Sequence, residues 1–458
     1  MLPQRRRTLG PDSDIVAARG DTGSWIIATA AFLLVSLRQT YVIPGIPLGL
    51  GPGRFVLFAC AGWFIFTRLT GHRSGYRLGA AGPVVAVFFT ATLTAYGIGM
   101  TRASVPVRPA DTDLVVEIML VLTAYFFFTA VHDHAGLRRI VKALVAGAVV
   151  SAVFAIVAHF TGSELAAVLK PPGLVEKGEI LNTDLFRGDV VRPQGSADHP
   201  LELAAVLAMI FPLAVGLTYS LRAGGQRWRP WAVAAAIVLG GVAVSVSRSA
   251  LAGLFATFVF MALYWPIRRT LLMFASGVVL AALVFAVNPP LFKAYSVTLG
   301  MGWADPSAQY RVAAARYIMS HFSLFGSYAA GAGTSGFVIF DNQYLHHLSG
   351  AGIVGLVSYV VLLATAFLLA FRAYRYTRTL PGSSGAAADL YLGLAASFVT
   401  FACINVFLDV GGFVQIWTTM WLLIATAAVA FRISREQVTY LVRPPPPARA
   451  DPVGGHLP

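Results

Sequence analysis

The run Gly350-Ala-Gly-Ile-Val-Gly-Leu-Val-Ser-Tyr-Val-Val-Leu-Leu-Ala-Thr-Ala-Phe-Leu-Leu-Ala-Phe371 carries no charged side chain, and Arg372 follows it. About 20 mainly apolar residues are enough to span a bilayer as a helix, so 350–371 predicts a transmembrane helix. What precedes it is of the opposite kind. Asp341-Asn-Gln-Tyr-Leu-His-His347 sets an acid, two amides and two histidines directly ahead of the apolar run. Further upstream stand Asp305-Pro-Ser-Ala-Gln-Tyr-Arg311 and Phe325-Gly-Ser-Tyr-Ala-Ala-Gly-Ala-Gly333. Polar groups are costly in lipid, so the polar island over 305–355 needs a function.

Outward from this stretch the chain stays oily. Of its 458 residues 57% are hydrophobic and 12% charged, with a mean hydropathy of +0.72. Soluble domains carry about 25% charged residues, so the class is an all-α polytopic membrane protein. About twelve segments are long and apolar enough to be read as spans: 24–38, 54–68, 79–99, 113–131, 142–161, 199–220, 231–247, 249–266, 270–288, 350–371, 388–408 and 413–431. The first two are short and broken by Arg38 and by the Pro/Gly-rich stretch 43–53.

With the N-terminus inside, every expected inner segment is basic. Examples are Arg5-Arg6-Arg7, Arg138-Arg139, Arg268-Arg269, and the set Arg372, Arg375 and Arg378. That asymmetry follows the positive-inside rule and accounts for the net charge of +14 without nucleic acid as a partner. Both termini are therefore expected in the cytoplasm. The organisation is a tail at 1–23, helices over 24–161, an outer loop at 162–198, helices over 199–288, a second outer loop at 289–349, helices over 350–431 and a tail at 432–458. Loops of that length are usually functional or disordered.

The basic head is separated from the first apolar run, which reads as a retained anchor. The proline run at 444–447 reads as a solvated end. Cys60 and Cys403 lie far apart in apolar runs, so neither a disulfide framework nor a cysteine metal site is expected. No nucleotide-binding glycine motif and no nucleophile-elbow motif is present.

On this topology the polar residues gather outside. Arg192 lies in Arg192-Pro-Gln-Gly-Ser-Ala-Asp198-His199-Pro200, and Arg248 in the short turn Ser245-Val-Ser-Arg-Ser. An arginine at a helix end can simply snorkel. Equally, guanidinium is a planar fork of donors that matches phosphate, and the small residues around Arg248 leave room for a ligand. Arg311 and Arg316 stand five apart, off one another's helix face, on a short amphipathic helix expected near 312–322. They read as a solvated face, as lipid-headgroup contacts or as part of a site.

Adjacent histidines point about 100° apart on a helix, so His346 and His347 do not suggest a metal site. Asp341 and Asn342 read as a helix cap. Gly350, Gly352 and Gly355 read as close helix packing. His132 and His134, in an inner loop, read as solvated. Few charges are expected in mid-span, Glu202 and Asp409 lying near outer ends.

Four segments in this order resemble the O-antigen ligase and O-antigen polymerase superfamily of bacterial polysaccharide assembly. They are Arg192-Pro-Gln-Gly…His199-Pro200, Ser245-Val-Ser-Arg248-Ser-Ala-Leu, Arg311 with Gly326…Gly331-Ala-Gly333, and Asp341-Asn342-Gln-Tyr344-Leu345 leading into Gly352-Ile-Val-Gly355. The likeness covers about 190–370, and the expected helix number agrees with it.

The resemblance implies a metal-independent glycosyltransferase without cofactor in the bacterial cytoplasmic membrane. Its donor would be a polyprenyl-diphosphate-linked oligosaccharide and its acceptor a glycan, among membrane lipids and within a polysaccharide assembly complex. By motif position Arg248 and Arg311, assisted by Arg192, would hold the diphosphate. Asp341, His346 or His347 would be catalytic, with Asn342, Tyr344, Arg316 and His199 lining the site.

One departure stands out. The ligase branch places a histidine immediately before the Asn of its Asn-x-x-Leu motif, where this chain has Asp341. That favours a polysaccharide polymerase over a ligase that attaches the glycan to a non-glycan or lipid acceptor. From other classes, a lipid-linked glycan flippase would need charges along a path through the bilayer. A purely structural partner in an envelope complex would leave each arginine replaceable.

Overall fold

The computed structural model describes residues 11–46, 48–71, 79, 81–101, 107–177, 186–187, 190–300, 306–326, 341–380 and 385–442. Asp305, the Gly331-Ala-Gly333 segment and the proline run at 444–447 lie outside them. Fifteen described helices follow one another. They are α1 (Pro11–Ser36), α2 (Pro52–Leu69), α3 (Ala81–Met100), α4 (Val107–Ala130), α5 (His134–Thr161), α6 (Leu165–Val168), α7 (Pro200–Ala223), α8 (Arg229–Val244), α9 (Arg248–Ala262), α10 (Ile267–Val287), α11 (Pro289–Gly300), α12 (Pro306–His321), α13 (Gln343–Arg378), α14 (Ala388–Ile404) and α15 (Val414–Val442). The described strands are two short antiparallel ladders, Tyr41–Val42 with Val175–Glu176 and Phe186–Arg187 with Val190–Val191.

A helix overlies each apolar segment read from the sequence. Among the described residues seven helices are long and apolar enough to cross a membrane, and four more are apolar but shorter. This is a helical, multi-pass membrane protein. The two stretches expected as loops also carry helix: α6 lies in the first, α11 and α12 in the second.

Helix starts follow local chemistry. His199 caps α7, its Nδ1 accepting from the Leu201 N–H at 3.1 Å, with Pro200 in the first turn. Ser247 caps α9. Asn342 caps α13, its side chain accepting from the Leu345 N–H at 3.0 Å, as its place before the apolar run suggested.

The apolar windows of α7 and α15 are each 89% buried, whereas that of α10 is 6% buried. α7 and α15 are therefore central and α10 peripheral. In lipid, helices associate through close packing more than through hydrophobic burial. Accordingly α7 meets α14 backbone to backbone: a Cβ on Gly216 would come within 2.6 Å of the Asp389 carbonyl oxygen.

α13 departs from expectation. Its helix begins at Gln343, directly after the cap expected at Asp341 and Asn342, so the polar residues 343–347 form its first turns. It then breaks at Gly352 (φ 73°, ψ −167°), a region essentially restricted to glycine. The N–H groups beyond the break find other acceptors: Ile353 donates to the Ser323 carbonyl at 3.0 Å and Val354 to that of Leu324 at 3.2 Å. Gly326 packs against Gly350 so closely that a Cβ on it would collide with the Gly350 carbonyl. The segment after α12 is thus stitched into the break.

Packing sorts the helix ends into two groups. At one end, His134 bonds to Tyr391 and, at 2.9 Å, to Gln437, and Arg269 pairs with Asp389 at 3.1 Å. His134 is therefore held between helices rather than solvated. Here arginines lie over aromatic rings: Arg139 over Trp25 at 4.3 Å, Arg222 over Trp228 at 5.1 Å, Arg269 over Tyr219 at 5.0 Å and Arg432 over Phe128 at 4.4 Å. The opposite end carries the starts of α7, α9, α13 and α15 and the finish of α14. It holds every residue read as functional from the sequence.

Candidate functional site

One group forms around the turn between α8 and α9. Arg192 is 2% exposed, and its Nε donates to the Ser245 carbonyl at 3.0 Å. Tyr295 of α11 donates its hydroxyl to the Ala243 carbonyl at 2.8 Å. Burial pushes the Tyr295 phenol up against the opposing pull of Arg192, so it stays a neutral donor. Between these contacts Val246 has φ 48°. A β-branched residue in the left-handed region is strained, and it is held there by packing against Val190, Leu291 and Ala294. The turn is thereby fixed from below by Arg192 and Tyr295, and it presents the half-buried Arg248 at the first position of α9.

A second group forms where α12 meets α13. Arg311 Nη2 and Asp341 Oδ2 are 3.3 Å apart, with both side chains 26% exposed. Asp341, like Val246, sits in the left-handed region (φ 48°), which aspartate tolerates better than valine does. Arg316 lies further along α12 and is exposed. Its carbonyl accepts from Ser320 at 3.1 Å, and no described contact brings it to Asp341.

The third group couples the start of α13 to the loop between α14 and α15. His346 Nδ1 is 2.9 Å from Asp409 Oδ2. Burial alone would raise the Asp409 carboxyl, but the His346 imidazole outweighs it and holds the group below the usual carboxylate range. The Gln343 Oε1 accepts from the Val410 and Gly411 N–H groups at 2.8 and 2.7 Å, while its amide lies 3.1 Å from His347 Nε2. The His347 ring rests 4.0 Å from that of Tyr359. Asn342 donates to the Val406 carbonyl at 3.0 Å and Tyr344 to the Ala402 carbonyl at 2.9 Å. Asn342 and Tyr344 therefore anchor the helix start, His347 is packed among rings and amide, and His346 is the histidine held by an acid.

Behind His346 lies a cavity of about 240 Å³. Its walls include Phe88 of α3, Asp113 and Glu117 of α4, both histidines and Trp417 of α15. Glu117 is 6% exposed and accepts from the Trp417 indole N–H at 2.8 Å. Glu117 is a buried acid inside α4, where the sequence suggested few charges, whereas Glu202 lies in the first turn of α7, as expected, and Arg54 in that of α2; all three are buried.

The three groups share one end of the bundle. Gly253, near the start of α9, faces Thr400 and Ile404 at the finish of α14. The residues just beyond α14 bond the start of α13, the Gln343 N–H donating to the Asn405 carbonyl at 2.9 Å. His199 belongs to the same end, its ring 5.8 Å from that of Phe413, though its described hydrogen bond is that of a helix cap.

Three residues of this end escaped sequence reading as site residues: Asp409, Asp113 and Glu117. The signal for the last two was present, because acids four apart inside an apolar run fall on one helix face. Among the described residues no group of three His, Cys, Asp or Glu side chains is arranged to hold a metal ion. The arrangement can take up a proton at an acid-backed imidazole and hold oxyanions at two arginine centres. No protein-family model and no curated protein matches this sequence.

Proposed function

We propose that this chain is a membrane glycosyltransferase of the O-antigen ligase and polymerase type, acting as a polysaccharide polymerase. It moves a glycan from a polyprenyl diphosphate onto a sugar hydroxyl at the outer face of a bacterial cytoplasmic membrane. In this reading about twelve helices span, both termini are cytoplasmic, and the arginine-over-aromatic end faces the cytoplasm. The observation that carries the proposal is the His346–Asp409 pair at 2.9 Å, set at the same bundle end as Arg192, Arg248 and Arg311.

The chemistry follows from those positions. The acceptor hydroxyl oxygen forms a bond to the anomeric carbon as the bond from that carbon to the diphosphate oxygen breaks. The electron pair leaves with the diphosphate, where Arg248 and Arg311 stabilise the growing charge. The hydroxyl proton passes to His346 Nε2, while Asp409 at Nδ1 orients the ring and stabilises the imidazolium. Asp341 stands where ligases have histidine, and its carboxylate lies 3.3 Å from Arg311. Its part is to position that arginine.

A flippase reading draws on the buried acids of α4 and α7. Their described partners argue for a fixed scaffold: Glu117 is held by Trp417, and Glu202 accepts from the Gln415 and Asp198 backbone N–H groups at 2.6 and 3.0 Å. Deleting the gene and separating lipid-linked glycans tests the proposal. Accumulation of single lipid-linked repeats is expected. Long lipid-linked chains would mean a ligase, and an unchanged lipid-linked pool with normal surface glycan would overturn glycosyl transfer.

A further inference from the structure

Glu117 poses a question that its scaffold role leaves open. One carboxyl oxygen accepts from Trp417 at 2.8 Å; Oε1 makes no hydrogen bond of ordinary length, and the Trp421 indole is the second donor acting on the carboxyl. The residue lines the cavity behind His346. A carboxylate offers about four acceptor positions, more than two indoles fill, so a group entering the cavity can take the rest. If ionised the carboxyl accepts a hydrogen bond, and if protonated it can donate one. A hydroxyl satisfies either state.

The rest of the lining narrows the ligand. Among the described residues it contains Asp113, one turn before Glu117, and both histidines, and neither lysine nor arginine. Carboxylates without a cation repel a diphosphate, and the arginines that would hold one belong to the other two groups. The ring faces of Phe88 and Trp417 provide apolar wall beside these polar groups. At about 240 Å³ the cavity is smaller than the roughly 300–1,000 Å³ typical of drug-sized sites. The match is a neutral, hydroxyl-rich ring of monosaccharide size.

We propose that this cavity binds one sugar ring of the acceptor glycan, with Glu117 anchoring a hydroxyl and His346 facing the one that reacts. The acceptor role rests on the glycosyl-transfer reading; the sugar site itself does not. The bundle end is then divided by charge, with the diphosphate at the arginines and the acceptor among the acids.

Saturation-transfer difference NMR on the solubilised full chain tests this, with the methyl glycosides of glucose, galactose, mannose and N-acetylglucosamine as probes. At least one probe should bind. Glu117→Gln keeps an acceptor for the Trp417 indole and should weaken that probe about tenfold. Gly412→Leu fills the cavity wall at a position where a Cβ meets nothing within 4 Å, and it should abolish binding. Arg248→Ala should leave binding unchanged.

Failure of all four probes, or equal affinity in Glu117→Gln and Gly412→Leu, overturns the sugar site. Probe binding in a protein whose deletion leaves glycans unchanged would sink the transfer reading alone. Transfer in cells with an unaltered acceptor KM in both variants would sink the sugar site alone.

Discussion

The two ends of the bundle differ in how their arginines are held. At one end arginines lie on aromatic rings, as Arg139 does on Trp25 and Arg432 on Phe128, and Arg269 and Arg432 also reach a carboxylate and a backbone carbonyl. At the other, Arg54 lies over Phe58, but Arg192 is aimed at the Ser245 carbonyl and Arg311 at Asp341. A guanidinium over a ring makes a contact worth about 0.5–1 kcal/mol at an exposed site and keeps its N–H donors in its own plane, where Arg269 uses them on Asp389 and Arg432 on the Phe128 carbonyl. An arginine clamped from one side by a carbonyl has fixed geometry and spare donors, which is what an oxyanion needs. The difference teaches that counting arginines locates a membrane face, whereas their partners locate chemistry.

The sharpest way to break this comparison is to remove one residue from each end. His346→Ala should lower glycan extension by about 10²–10⁴-fold, the range for loss of a general base, with Asp409→Asn close behind. Arg222→Ala at the aromatic end should leave it unchanged. Extension by membranes carrying each variant, normalised to inserted protein, measures this. Equal effects at both ends would mean that the ends do not differ in function. Arg248→Lys keeps the charge but loses the fork, and should retain only a small fraction of activity.

A structural contrast comes next. Gly352→Ala places a Cβ at φ 73° within 2.5 Å of the Leu324 carbonyl oxygen. Its cost should be at least about 1–3 kcal/mol from the backbone alone, seen as a lower Tm in detergent. An unchanged Tm would show that the break is not needed.

The acids of the functional end should respond to pH with opposite signs. Asp409 is held below the usual carboxylate range, so its contribution to stability is complete above about pH 4, the unfolded value, and is lost as pH falls further. Burial pushes Asp198 up to about 6, against Arg38 and Lys177. Its contribution is present below about pH 4 and is lost as pH rises through its folded value. Asp198→Asn should therefore raise Tm at pH 8 more than at pH 4, whereas Asp409→Asn should lower it at pH 8 and lose that effect below pH 4. The same sign for both in thermal unfolding would refute the assignment.

The smallest effect sharpens sidedness. In a Cys60→Ser, Cys403→Ser background, Ser335→Cys should react with an impermeant maleimide from outside and Gln226→Cys only after lysis, neither changing activity. The reverse pattern would invert the topology.

Much of this architecture was legible because the bilayer imposes a length, and an uncharged run such as 350–371 admits few other readings. The capping by Asn342 was legible for a similar local reason. Contacts between distant segments were not. Asp409 acts on His346 across 63 residues, and Trp417 reaches Glu117 across 300, separations that carry no periodic signal. His199 looked like a site residue, yet its described hydrogen bond closes a helix. The break at Gly352 was hidden because hydrophobicity reports which residues are apolar and says nothing about φ. Arg192 and Arg248 were each visible, and so was Ser245 beside Arg248, but no spacing in the sequence says that Arg192 reaches the Ser245 carbonyl beneath the α8–α9 turn.

The interruption of α13 has a mechanical consequence. Residues 343–351 form a short arm whose fulcrum is the Gly352 backbone, and the longer shaft beyond it runs down the bundle. His346 rides on the arm, while the two carbonyls of 323 and 324 grip the shaft just below the fulcrum. The chain leaving α12 is therefore moored to the shaft, while Asn342, Gln343 and Tyr344 moor the arm to the finish of α14 and the loop after it, so the two halves of α13 answer to different neighbours.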